Sequence, residues 1–131
     1  MFVIEDTNNN KFGGYITATI NKYNDYITDH NSFLFSLKSN ERVNGMQKFE
    51  IQSNNAQYAF YLYDKSSDRI FGFGNGHAIC VYKENRKGSS WCSQFNDKYN
   101  YHGTSEAFLK GCSNGSLASF TPKRITVIQM K

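Results

Sequence analysis

Apolar and polar residues alternate along most of this chain with a period of two, the repeat of a pleated strand whose successive side chains face opposite ways. Residues 2–5 form an apolar start. Residues 11–20, KFGGYITATI, set Tyr15, Thr17 and Thr19 on one face and Ile16, Ala18 and Ile20 on the other, which predicts a strand along the whole segment. Between these two, Thr7-Asn8-Asn9-Asn10 suits a hairpin, because Asn tolerates a positive φ. Residues 32–37, SFLFSL, predict a buried strand with Phe33, Phe35 and Leu37 on one face. Residues 46–52 set Gln47, Phe49 and Ile51 against Met46, Lys48, Glu50 and Gln52. Residues 57–63, QYAFYLY, are dense in Tyr and Phe. Residues 69–73 and 78–83 flank the turn Gly74-Asn75-Gly76, and residues 123–130 close the chain with a β-branched run. Eight or nine short strands at near-regular spacing predict an all-β sandwich.

Helix signals are few. Residues 104–111 combine Thr and Ser at a start, Glu106 in a first turn and Gly111 at a stop, enough for about two turns. Residues 23–29 offer a second short turn. Composition adds to the β picture: of 131 residues, nine are Tyr, eleven Phe and one Trp, against a single Pro. That apolar supply excludes a disordered chain, and the length predicts one domain over residues 1–131. No apolar run nears the roughly 18 residues of a spanning helix, and MFVIEDTNNN lacks a basic and apolar leader, so neither membrane insertion nor secretion is expected. Three Cys are too few for a disulfide framework; they read as free thiols in the cytoplasm or nucleus.

Charge is unevenly placed. Residues 1–64 carry five Lys/Arg against seven Asp/Glu, and residues 65–131 carry ten against four. The basic half faces either solvent or an acidic partner, nucleic acid included. Its most informative stretch is Lys83-Glu84-Asn85-Arg86-Lys87-Gly88-Ser89-Ser90-Trp91, in which cations stand beside a ring. Arg86, Lys87 and Trp91 therefore form a candidate partner-binding site, either for protein or for nucleic acid, where phosphate contacts and base stacking are combined. The plain alternative is an exposed turn with Trp91 tucked into the core. Arg86-Lys87-Gly88-Ser89 also has the form of a basophilic kinase site, where phosphate would invert the local charge.

Other constellations lead away from catalysis. Gly72-Phe73-Gly74-Asn75-Gly76 lacks the third glycine of a dinucleotide fingerprint and the Lys of a phosphate loop, and reads as a tight hairpin. His77, Cys80, Cys92, His102 and Cys112 are zinc-type ligands, but only one close pair is present where a structural site brings two. Cys92, near Arg86 and Lys87, has cations to lower its thiol pKa, yet none of His30, His77 and His102 stands in a nucleophile motif. No enzyme activity, cofactor or metal is expected.

The order of segments resembles the TLDc domain family. Phe2-Val3-Ile4-Glu5-Asp6 followed by Lys11-Phe12-Gly13-Gly14-Tyr15 is similar to its apolar strand, acidic turn and Phe-Gly strand. Ser32-Phe33-Leu34-Phe35 is similar to its Thr-Phe-Leu-Phe strand, and Ile70-Phe71-Gly72-Phe73-Gly74 to its glycine hairpin. Gly88-Ser89-Ser90-Trp91-Cys92-Ser93-Gln94-Phe95 loosely matches its Gly-x-Ser-x-x-Cys-x-Thr-Phe pattern, making Cys92 and Phe95 packing positions along with Phe12, Gly13, Phe33, Phe35, Gly72 and Gly74. The chain departs from the family at Ile20, Asn31 and residues 126–128, and it starts after the helix and strand that usually lead the domain. The resemblance implies an antiparallel β-sandwich with one or two short helices and no agreed catalytic residues. It implies a protein-interaction role in the oxidative-stress response and regulation of the vacuolar-type proton ATPase, with its subunits as partners; nucleic-acid binding by the basic half is the alternative. A missing leading segment would leave the strand at residues 2–6 as an exposed edge, or open part of the sandwich face, and either would favour self-association.

Overall fold

A computed structural model describes residues 1–39, 45–84, 89–93, 98–101 and 117–130. Two antiparallel sheets face each other. The first holds β1 (Phe2–Asp6), β2 (Lys11–Tyr15), β4 (Phe33–Lys38), β5 (Gln47–Glu50) and β11 (Pro122–Val127), in the order β11-β1-β2-β4-β5. The second holds β3 (Tyr26–Ile27), β6 (Phe60–Leu62), β7 (Arg69–Phe73), β8 (Ile79–Tyr82), β9 (Ser90–Ser93) and β10 (Leu117–Phe120), in the order β10-β9-β8-β7-β6-β3. The expected β-sandwich is thus the observed class. The helix expected over residues 104–111 lies outside the described residues, as do Arg86, Lys87, Phe95, His102 and Cys112.

Among the described residues, rings make up nearly half of the buried core. Phe2 of β1 lies 4.9 Å from Phe71, 5.1 Å from Phe60 and 5.7 Å from Phe73 across the gap between the sheets, by ring centroid. Phe12 meets Phe120 edge-on at 5.0 Å. Ile4, Leu34 and Phe49 from one sheet and Ile79, Val81 and Cys92 from the other belong to the same buried cluster. Two glycines of β2 set how closely these elements approach. A Cβ on Gly14 would strike the Phe73 ring of the opposite sheet, and one on Gly13 would strike the Phe2 carbonyl and press on the Phe35 ring.

Several local expectations are corrected. The strand expected over residues 11–20 ends at Tyr15. Beyond it, the Asp29 carboxylate accepts the Thr17 and Ala18 amides and the Thr17 hydroxyl, so that backbone is bonded to a side chain instead of a strand. Residues 57–63 divide into a 3-10 turn, Ser53–Tyr58, and the short strand β6. In β4 the core-facing residues are Leu34 and Ser36, both fully buried, while Phe33, Phe35 and Leu37 point to the outer face. There Phe35 lies across Gly13, Phe33 stacks on Tyr15 at 4.8 Å, and Leu37 is 41% exposed. With Met1 and Met46 these side chains line a shallow apolar hollow of about 280 Å³.

The strand at residues 2–6 is not an edge. β11 pairs along it from Phe2↔Val127 to Glu5↔Arg124, and the Met1 and Ile128 backbones exchange a further pair of bonds. The edges of that sheet are β11 and β5. The β1–β2 turn forms as expected, with Asn9 at φ 65° and the buried Asp6 carboxylate accepting the Asn8 and Asn10 amides and the Asn10 side chain.

Phe2 makes three of the ring contacts that join the sheets. Phe2→Ala is expected to cost about 3–5 kcal/mol of unfolding free energy, read from urea denaturation. A loss under about 1 kcal/mol would mean that the sheets are joined elsewhere.

Candidate functional site

The outer face of the second sheet carries a connected set of rings and one cation. On β7 and β8 the register places Arg69 opposite Tyr82. Between them the chain turns through Gly74, Gly76 and His77, at φ 81°, 69° and 59°. Positive φ suits glycine and strains His77, whose ring is folded back over Gly72. A Cβ on Gly72 would overlap that ring, so the glycine makes the fold-back feasible.

The hydrogen bonds fix each group's role. His77 Nδ1 lies 3.0 Å from the Gly74 carbonyl, which can only accept, so Nδ1 carries the proton. Nε2 is then the acceptor for the Tyr63 hydroxyl at 2.8 Å. Tyr63 in turn accepts from Arg69 Nη1 at 3.1 Å, and Arg69 Nε donates to the Tyr82 hydroxyl at 3.0 Å. The guanidinium also sits 5.6 Å and 5.5 Å from the Tyr63 and Tyr82 ring centres, within cation–π range. Tyr61 packs on Tyr63 at 4.5 Å, and Tyr26, Tyr61 and Trp91 surround His77 at 6.1–6.4 Å.

Trp91 is therefore neither in a loop nor in the core. It stands half-buried on the outer face of β9, and its neighbour Cys92 is the residue that enters the core. Phe12 is a fully buried core ring, and Gly74 supplies the positive φ of the β7–β8 turn. Cys80 is fully buried on β8, and burial pushes its thiol up to about 11, so it stays protonated at neutral pH. Among the described residues no three His, Cys, Asp or Glu side chains group as metal ligands. His77, considered for zinc or for activating a thiol, has both ring nitrogens engaged. Also among the described residues, no helix is long and apolar enough to cross a membrane.

Sequence reading found Trp91 and His77 but not their connection to Arg69, Tyr63 and Tyr82. The signal was present in the alternation of Tyr61 and Tyr63 and in the flanks of the glycine hairpin. It became a site only through the β7–β8 register, which shifts between Arg69 and Phe71.

Fold and site together define a two-sheet antiparallel β-sandwich whose outer face, not an enclosed cleft, carries the organised polar chemistry. The TLDc domain model matches residues 1–127, and the chain belongs to the TLDc domain family. That family is linked to the oxidative-stress response. No curated protein and no solved structure matches the chain.

His77 makes stability depend on pH. Burial, helped by the Arg69 charge, lowers its pKa below the ordinary 6.5. The unfolded chain therefore binds this proton more tightly than the folded one. The contribution is complete above pH 6.5 and is lost as pH falls toward the lower folded value. Urea midpoints measured from pH 7.5 down to 5 should fall more steeply for the wild type than for His77→Asn, which tolerates the positive φ. Parallel curves would show that His77 does not titrate in this window.

Proposed function

We propose that this chain is a non-enzymatic protein-docking module of the TLDc type. It acts in the cytoplasm or nucleus in the oxidative-stress response, with subunits of the vacuolar-type proton ATPase as partners. The observation that carries this reading is the outer face of the second sheet. There half-buried Tyr63 and Tyr82 hold a preset arginine, with Tyr61 and Trp91 packed beside the adjoining His77, and Tyr, Trp and Arg are the residue types that dominate binding energy at protein interfaces. Arg86 and Lys87 join the reading as sequence neighbours of Trp91.

Affinity purification of the full chain from its native cell, followed by mass spectrometry, tests it. Proton-ATPase subunits should be recovered with the wild type. Recovery should fall by tenfold or more for Tyr61→Ala/Trp91→Ala, consistent with losing about 2 kcal/mol at interface anchors, and also for Arg86→Glu/Lys87→Glu. Equal recovery with all variants would sink the assignment.

One observation favours nucleic-acid binding as a second reading. A groove of about 540 Å³ at the end of the sandwich is lined by Lys83, Lys123 and Arg124, with Ser89, Ser90 and Thr121 between them. Glu84 shares the lining, and Lys123 lies 3.9 Å from Glu5, which leaves the groove only mildly basic. This reading requires oligonucleotide affinity that falls steeply with salt and weakens in Lys123→Glu/Arg124→Glu. Absence of binding at low salt would remove it.

A further inference from the structure

Resting on the docking reading, we propose that Arg69 is the anion-recognising centre of that face and takes a side-chain carboxylate from an acidic peptide segment of the partner.

Arg69 is held before any ligand arrives. Two phenol oxygens fix its Nε and Nη1, and two tyrosine rings flank its guanidinium. Tyr63 is itself oriented by His77, and His77 by the Gly74 carbonyl. A side chain fixed in this way loses little rotamer freedom on binding. Its charge, however, is not matched. Among the described residues no carboxylate lies within ion-pair distance of Arg69. Asp64 is occupied by Asn24 and Ser66. Of the five guanidinium N–H groups, two are used; the three left over sit on Nη1 and Nη2, the pair that grips both oxygens of a carboxylate in one plane.

Among the described residues the charge count favours a carboxylate. His77 is buried beside Arg69 and stays neutral at pH 7, and the Lys83 ammonium is bonded to the Lys65 carbonyl at 2.6 Å. One cation suits one carboxylate, whereas a phosphate dianion calls for several. The site lies on a sheet face among half-buried rings of Tyr61, Tyr82 and Trp91, which offer contact area to the chain that bears the carboxylate.

Nitrogen-15 NMR of the full chain tests this through the Arg69 Nε–H signal, assigned by its loss in Arg69→Lys. Three probes are titrated at low salt: acetylated tetra-glutamate amide, its tetra-glutamine counterpart and inorganic phosphate. Only the glutamate peptide should move the signal to saturation. Its affinity should drop about tenfold in Arg69→Lys, which keeps the charge but loses the planar fork, and severalfold in Tyr63→Phe. Equal binding of both peptides, or wild-type affinity in Arg69→Lys, would overturn the proposal. So would a larger response to phosphate, which would assign the site to a different anion. Should the variants fail to fold, the affinities of the three probes for the wild type, measured by calorimetry, still decide. Partner recovery that depends on Trp91 alongside a silent Arg69 signal would retain the docking reading and refute the carboxylate site.

Discussion

The approach of Phe73 to the bare backbone of Gly14 governs how closely the two sheets meet. One belongs to β7 and the other to β2, and no side chain larger than hydrogen fits between them. This proximity brings Phe2 within ring contact of Phe60, Phe71 and Phe73. Burial of such rings is the largest favourable contribution a sandwich of this size has available. The outer face depends on the same strand, because Phe73 and Gly72 are neighbours on β7. Phe73 turned inward leaves Gly72 turned outward, and the space over Gly72 is filled by His77. Core packing and surface network are two sides of one strand.

That strand and its partner were legible in the sequence because their alternation is clean and their turn carries two glycines. The split of β5 between Phe49 and the polar Lys48 and Glu50 followed in the same way. Alternation failed where both faces are apolar. In β4, Phe33, Phe35 and Leu37 form a stronger stripe than Leu34 and Ser36, yet the weaker stripe faces the core because Leu34 pairs with Phe49. It failed again at residues 16–20, where a pattern suited to a strand is overruled by the Asp29 carboxylate, distant in sequence. Strand β9, Ser-Trp-Cys-Ser, is too polar and too short to announce itself. Members of the surface network were visible, but their joining was not: it needs a hairpin register, a bulge and a histidine with positive φ, none of which is encoded by spacing alone.

The network also explains why histidine sits at the end of a tight turn, where it is strained. A neutral imidazole donates with one nitrogen and accepts with the other, and here both abilities are used in a fixed direction. Asparagine would tolerate the backbone but could not span from Gly74 to Tyr63 with a rigid ring. Local strain of this kind persists where surrounding contacts determine the conformation, and here those contacts are Tyr26, Tyr61 and Trp91 on three strands.

The pairing of β11 with β1 has a consequence for how the molecule is made. Strand β1 has as one of its two neighbours a strand formed by residues 122–127, more than a hundred residues later in the chain. Until those residues emerge, β1 presents unpaired amides and carbonyls along one side, next to a β2 already able to form its hairpin. Contacts between such distant segments close late, and an open strand edge is prone to pairing with other chains in the interval. Synthesis therefore passes through a stage in which half of a sandwich is built around an unfinished sheet, which residues 122–127 close.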